Sequence, residues 1–243
     1  MSLLTRFRKN TESASSAGFT ILELTFVFAI FAIMASIVLF NFRAFNTKVQ
    51  FGNLVQDIAL RIMTAQKSAL AGATNVNFIG RSAKPTYGVY FQPGVTATTA
   101  STQFVYFNDI PPTGSTTFLG NKLYDPTGTT CPVTPTLGNE CLSITSITTG
   151  EYVSKICYVP VGDTVGYCIT TGSAHISFTR PFPDANIFVD TLGSSLPVES
   201  QFACVELSSL NATALKKTIT VSNLGELRTI DGAADATTSP CHP

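Results

Sequence analysis

The sequence predicts an α+β fold, and three observations carry that reading. An uncharged apolar run lies near the N-terminus. A proline-free stretch with helically spaced apolar residues follows it. The long remainder breaks into short β-like segments punctuated by Gly, Pro, Asn and Asp. Together they describe a long N-terminal α-helix, with an apolar half and an amphipathic half, packed on an antiparallel β-sheet head. A chain of 243 residues holds one medium domain plus an extended element of this kind.

The apolar half is expected over 19–42. No residue of 24–40 is charged, and with the apolar residues just before it the run is long enough to cross roughly 30 Å of hydrocarbon. Arg6, Arg8 and Lys9 precede it, which would keep the N-terminus cytoplasmic and send the rest outward. A small polar run, 13–18, sits between that basic flank and the apolar run. An ordinary secretory signal has the opposite order, with the apolar core ahead of the cleavage site. Glu23 breaks the pattern, because an unpaired carboxylate in a membrane costs about 2.5–3.5 kcal/mol and requires a partner.

The amphipathic half is expected over 43–72, where Phe45, Val49, Val55, Ile58, Ile62 and Ala69 fall near helical spacing. Asp57 and Arg61 stand four apart in the favourable order. No proline occurs between Phe19 and Lys84, so a single helix over 19–71 is expected, ended by Gly72 and roughly 80 Å long. Gly52 is its one weak point.

The head, 73–243, is read as strands at 86–92, 103–108, 142–149, 153–159, 165–170, 174–179 and 217–221. A closing hairpin pairs 218–222 with 225–230 around Asn223 and Leu224. The Thr/Gly/Pro-rich stretches 93–102 and 126–139 read as exposed loops.

Six cysteines, Cys131, Cys141, Cys157, Cys168, Cys204 and Cys241, all fall in the second half of the chain without a Cys-x-x-Cys metal pair. That pattern favours disulfides and an oxidising compartment over a zinc site. Six cysteines permit 15 connectivities. The sequence-local set is Cys131–Cys141, Cys157–Cys168 and Cys204–Cys241. The middle pair is best supported, since the residues between its cysteines read as a hairpin, and buried free thiols are the alternative for the other two.

Charged residues make up 12% of the chain and the formal net charge is zero, which provides no field for gripping phosphates. Lys216, Lys217 and Arg228 are too few for nucleic-acid binding. His175, read as a solvent-facing strand residue, and His242, in the tail, are the only histidines and make no triad or metal set. Nucleophile-elbow, phosphate-loop and dinucleotide motifs are lacking, so neither a catalytic residue nor a cofactor is expected.

The N-terminal motif Gly18-Phe19-Thr20-Ile21-Leu22-Glu23-Leu24 resembles the cleavage and methylation motif of type IV prepilins and pseudopilins. The resemblance implies a pilin-like fold, with 1–18 a leader peptide removed by a prepilin peptidase. Cleavage would follow Gly18, and Phe19 would become the methylated first residue. It implies that Glu23 pairs with the new amine of a neighbouring subunit, so that each charge offsets the other's desolvation in an apolar bundle. The closing hairpin, the 57–66 helix segment and Ile176-Ser177-Phe178 resemble, more loosely, the H-type minor pseudopilins of type II secretion. The implied role is a structural subunit of a pseudopilus or type IV pilus, membrane-anchored through its N-terminal helix, with a pilus-tip module for DNA uptake or adhesion as the alternative. The expected partners are the peptidase and other pilin or pseudopilin subunits. The large loop-rich head favours a minor subunit, since a major one must pack laterally with itself. Acidic loops hold calcium in some relatives, yet Asp184, Asp231 and Asp235 lack an EF-hand-like spacing and no metal site is assigned. Many family members loosen the membrane half with glycine or proline; Phe31, Ala32 and Phe40 stand in that region here.

Overall fold

The structure is a computed structural model. It describes residues 18–72, 86–98, 100–110, 120–125, 131, 139–148, 150–192, 196–210 and 215–234, except the side chains of 38–41, 43 and 44. The chain forms two compact units, Met1–Phe45 and Asn46–Pro243. One helix, α1 (Ile21–Leu70), begins in the first and ends in the second.

In the second unit, Phe51, Val55, Ile58, Ile62, Ala65 and Ala69 recur at alternating steps of four and three and are all buried. Burying the four larger ones contributes on the order of 1.5–3 kcal/mol each. Gly72 ends the helix at φ 61°, a left-handed conformation that glycine adopts without a Cβ penalty. Gly52 lies inside the helix, and nothing within 4 Å would meet an added Cβ. Gly52→Ala is therefore expected to raise stability by about 0.5–1 kcal/mol. A higher urea midpoint would confirm it, and a lower one would refute it.

Ten strands form one antiparallel sheet. They are β1 (Thr86–Phe91), β2 (Gln103–Asp109), β3 (Cys141–Ser146), β4 (Glu151–Pro160), β5 (Tyr167–Ile169), β6 (Ser173–Phe178), β7 (Ala185–Asp190), β8 (Val198–Ser209), β9 (Lys216–Ser222) and β10 (Leu227–Asp231). Their path is β10-β9-β8-β7-β6-β1-β2-β3, with β4 on β8 and β5 on β4. β8 is the branch point. β4 runs along one edge of it from Glu151↔Ser209 to Pro160↔Ser200. On the other edge β9 covers Phe202 to Ser208 and β7 covers Val198 to Ser200. The N–H of Ala185 donates to the Asn223 carbonyl and that of Asn223 to the Gln201 carbonyl, joining β7 and β9 end to end.

One face of the sheet packs on α1 in a core that includes Val89, Phe91, Ile156, Ile176, Val189, Val205, Leu207 and Ile219. A second cluster joins Val105, Phe107, Tyr124 and Cys141.

The expected fold class is corrected. The body is mainly antiparallel β rather than a long helix laid on a sheet, and α1 contributes to that core only over its second half, from Phe51 on. Among the described residues, no helix is long and apolar enough to cross a membrane. Over 21–37 the apolar side chains are interrupted by Glu23, Thr25 and Ser36. The hydroxyls of Thr25 and Ser36 turn back onto the carbonyls of Leu22 and Ile33, each at 2.7 Å.

Two local expectations are corrected as well. The segment 93–102 is exposed as expected over 95–98, but its two ends are pinned to the sheet rather than free. Ser101 is fully buried, the Gly94 N–H donates to the Val153 carbonyl, and the Val153 N–H donates to the Ser101 carbonyl. His175 is buried rather than solvent-facing, because all six residues of β6 are covered on both faces. Most of 126–139 lies outside the described residues, as does His242.

Candidate functional site

Gly18 and Phe19 precede α1 in non-helical backbone and are exposed, Phe19 to 77%. Thr20 caps the helix: its Oγ1 accepts from the Glu23 N–H at 3.3 Å, and its carbonyl accepts from the Leu24 N–H at 3.1 Å. Glu23 stands in the first turn, where the helix dipole favours a carboxylate. The Thr-x-x-Glu pattern of a capping box was present in the sequence and accounts for this local geometry without reference to any partner. Past Glu23 the large apolar side chains Phe26, Phe28, Ile30, Phe31 and Ile33 are all more than half exposed. This end of the chain can therefore offer an accessible Gly–Phe peptide bond, one carboxylate and a large apolar surface. Residues 1–17 lie outside the described residues.

Of the predicted cysteine pairs, Cys131–Cys141 and Cys157–Cys168 are disulfides. The second clamps β4 to β5, whose register sets Cys157 opposite Cys168. Cys204 is disulfide-bonded, and its expected partner Cys241 lies outside the described residues.

The outer face of the head carries a polar arrangement that the sequence reading missed. Residues 120–125 lie across β6 and β2 and are held there through their own backbone amides. The Lys122 N–H donates to Asp109 Oδ2 at 2.6 Å, the Tyr124 N–H to His175 Nδ1 at 2.9 Å, and the Asp125 N–H to Glu140 Oε2 at 2.7 Å. The Ile110 N–H adds a bond to Glu140 Oε1 at 3.1 Å. Since Nδ1 of His175 accepts, its proton sits on Nε2, facing Ser173 Oγ at 3.3 Å. Burial pushes the Asp109 carboxyl up to about 6, against the amide bonds that favour its charged form. Burial pushes Glu140 further, to about 8, with the charges of Asp109 and Asp125 adding to it. Burial lowers His175 to about 4 and keeps it neutral. The sequence separations, from Asp109 to Lys122 and from Tyr124 to His175, show why no local pattern announced this strap.

A second buried charge, Glu206 on β8, is 1% exposed. It meets Lys155 Nζ at 3.2 Å and Lys216 Nζ at 3.1 Å, accepts from Ser154 Oγ at 2.8 Å, and accepts from the Ala234 N–H at 2.9 Å. Burial acts to raise its carboxyl, but the hydrogen bonds from Lys216 and Ser154 and the Lys155 charge outweigh it and hold it below the usual carboxylate range. Lys217 pairs with Asp231 and Arg228 with Glu226, so each of the three cations considered for DNA binding is already matched to a carboxylate. Among the described residues no group of three or more His, Cys, Asp or Glu side chains could hold a metal ion. Asp235 lies outside them.

Comparison of the chain with protein-family models, with curated proteins and with solved structures finds no match in any of the three.

Proposed function

We propose that this chain is the precursor of a type IV pilin-like filament subunit, of the minor pseudopilin kind, with an assembly role rather than a catalytic one. The observation that carries the reading is the N-terminal juxtaposition: an exposed Gly18–Phe19 bond, then a helix start whose one carboxylate, Glu23, stands among exposed apolar side chains. A prepilin peptidase would cut after Gly18, and the new cationic amine at Phe19 would pair with Glu23 of a neighbouring copy as the apolar surfaces pack together. Two disulfides in the head support its placement outside the cytoplasm, in the cell envelope or on a surface filament.

The test is the mass of the protein purified from an expressing cell that has the peptidase. The expected species begins at Phe19 and carries one extra methyl group; an intact N-terminus, or a cut at another bond, overturns the reading. Glu23→Ala is further expected to abolish recovery in sheared filaments while leaving the urea unfolding of the head unchanged. Normal incorporation of that variant would count against the pairing.

A further inference from the structure

A cavity of about 440 Å3 opens in the second unit, where the end of β6, the start of β1 and the 120–125 strap meet. Two cations line it, Lys122 and Arg180, with the hydroxyls of Thr86 and Thr179, the Asn186 amide and one acid, the exposed Asp184. Neither cation forms an ion pair among the described residues. Thr86 Oγ1 and Thr179 Oγ1 bond each other at 2.8 Å, which leaves one hydroxyl proton free to turn toward the cavity.

Three independent features mark this cavity as more than a surface dimple. First, Arg180 Nε is buried and has no hydrogen-bond partner. A buried guanidinium N–H left unpaired is costly, and its fork matches the two oxygens of a carboxylate or phosphate. The guanidinium also lies against Gly72 at the C-terminus of α1. The dipole there favours a cation, and since Nε itself is covered, a ligand in the cavity meets the remainder of the side chain. Second, Lys122 is the one non-glycine residue at positive φ among the described residues, at 66°. That conformation costs about 1 kcal/mol or more and persists because the Lys122 N–H is held by Asp109 while its carbonyl accepts from Ser177 Oγ at 2.9 Å. Third, the Lys122 ammonium is set at the cavity wall by a neutral acceptor, Asn186 Oδ1 at 2.7 Å, and forms no direct ion pair among the described residues. A strained backbone position, a guanidinium and an ammonium, neither cation in a direct ion pair among the described residues, thus converge on one cavity.

We propose that this cavity binds a small oxyanion, the carboxylate or phosphate group of a soluble ligand, between the Lys122 ammonium and the part of the Arg180 side chain that lines it. The site is independent of the filament reading and would hold whether or not the chain assembles.

Isothermal titration of the full chain in a non-ionic detergent, at constant ionic strength, tests it with inorganic phosphate, acetate and chloride. Saturable binding of phosphate or acetate that chloride does not displace is expected, and the tighter of the two identifies the chemical class. Lys122→Gly removes the ammonium yet suits the left-handed backbone, so it should fold at least as well and weaken binding about tenfold or more. Arg180→Lys keeps the charge but loses the fork, and should weaken binding comparably. The absence of saturation, or unchanged affinity in Lys122→Gly, overturns the proposal. Should Arg180→Lys fail to fold, the Lys122→Gly comparison decides alone.

Discussion

Replacing Lys155 and Lys216 together by methionine is expected to destabilise the head by about 3–5 kcal/mol at neutral pH, because it strands the Glu206 carboxylate in a site only 1% exposed. Glu206→Gln is expected to cost less, about 1–3 kcal/mol. It forfeits charge-assisted hydrogen bonds, but Lys155 and Lys216 are 25% and 39% exposed and can rehydrate. The ordering is the test: urea unfolding of the three proteins should rank wild type, then Glu206→Gln, then the double lysine variant. The reverse ranking would mean that Ser154 and the Ala234 amide suffice to hold the Glu206 carboxylate without its cations. The same cluster fastens the chain beyond β10. Glu206 accepts from the Ala234 N–H and Lys155 Nζ donates to the Ala234 carbonyl. Both changes should therefore also speed proteolysis near Ala234.

Unfolding free energy is expected to rise by a few kcal/mol as pH falls from about 8.5 to about 6, and to fall again only below about pH 4, where His175 and Glu206 outweigh Asp109 and Glu140. Glu140 and Asp109 have folded pKa values raised to about 8 and about 6 by burial. Their contribution is fully present below the ordinary carboxylate range and is lost as pH rises through those values. His175 acts in the opposite sense. Its folded pKa is lowered to about 4, so its contribution is present above its ordinary value near 6.5 and is lost as pH falls through 4. Glu206, held below the usual range, is likewise lost on the acid side. Urea midpoints across this range in wild type and Glu140→Gln check the assignment. The variant should lose most of the slope between pH 6 and 8.5, and an unchanged slope would place the titrating group elsewhere.

The sequence made some elements legible because their signal is local. The apolar stripe from Phe51 to Ala69 reads directly as a helix face, and the β9–β10 turn around Asn223 and Leu224, with Gly225 at φ 78°, carries its own turn chemistry. Strands β1, β2, β4 and β6 show as β-branched and aromatic runs. The strand β8 was missed, although it is the branch point of the sheet. Its sequence, VESQFACVELSS, buries Ser200, Glu206, Ser208 and Ser209, so polarity at core positions erases the alternation that announces a strand. The fold class was misjudged for a related reason. Hydropathy reports how apolar 21–37 is but not how much of α1 the sheet covers, and the core takes only the part from Phe51 on. In the candidate sites, Gly18, Phe19 and Glu23 were legible as a contiguous motif. The strap and the cavity were not, since they join Asp109, Lys122, His175 and Arg180 across chain separations that no spacing rule addresses.

The position of β8 also dictates when this protein can become compact. Tyr87 on β1 waits for Phe178, Glu151 on β4 waits for Ser209, and both edges of β8 are filled only after Ser222 has been made. Little of the sheet can therefore close while the first half of the chain is being synthesised, and pairing across such separations is slow. The β4–β8–β9 part of the sheet, and with it the branch that joins the two arms, closes only when nearly the whole length has been made.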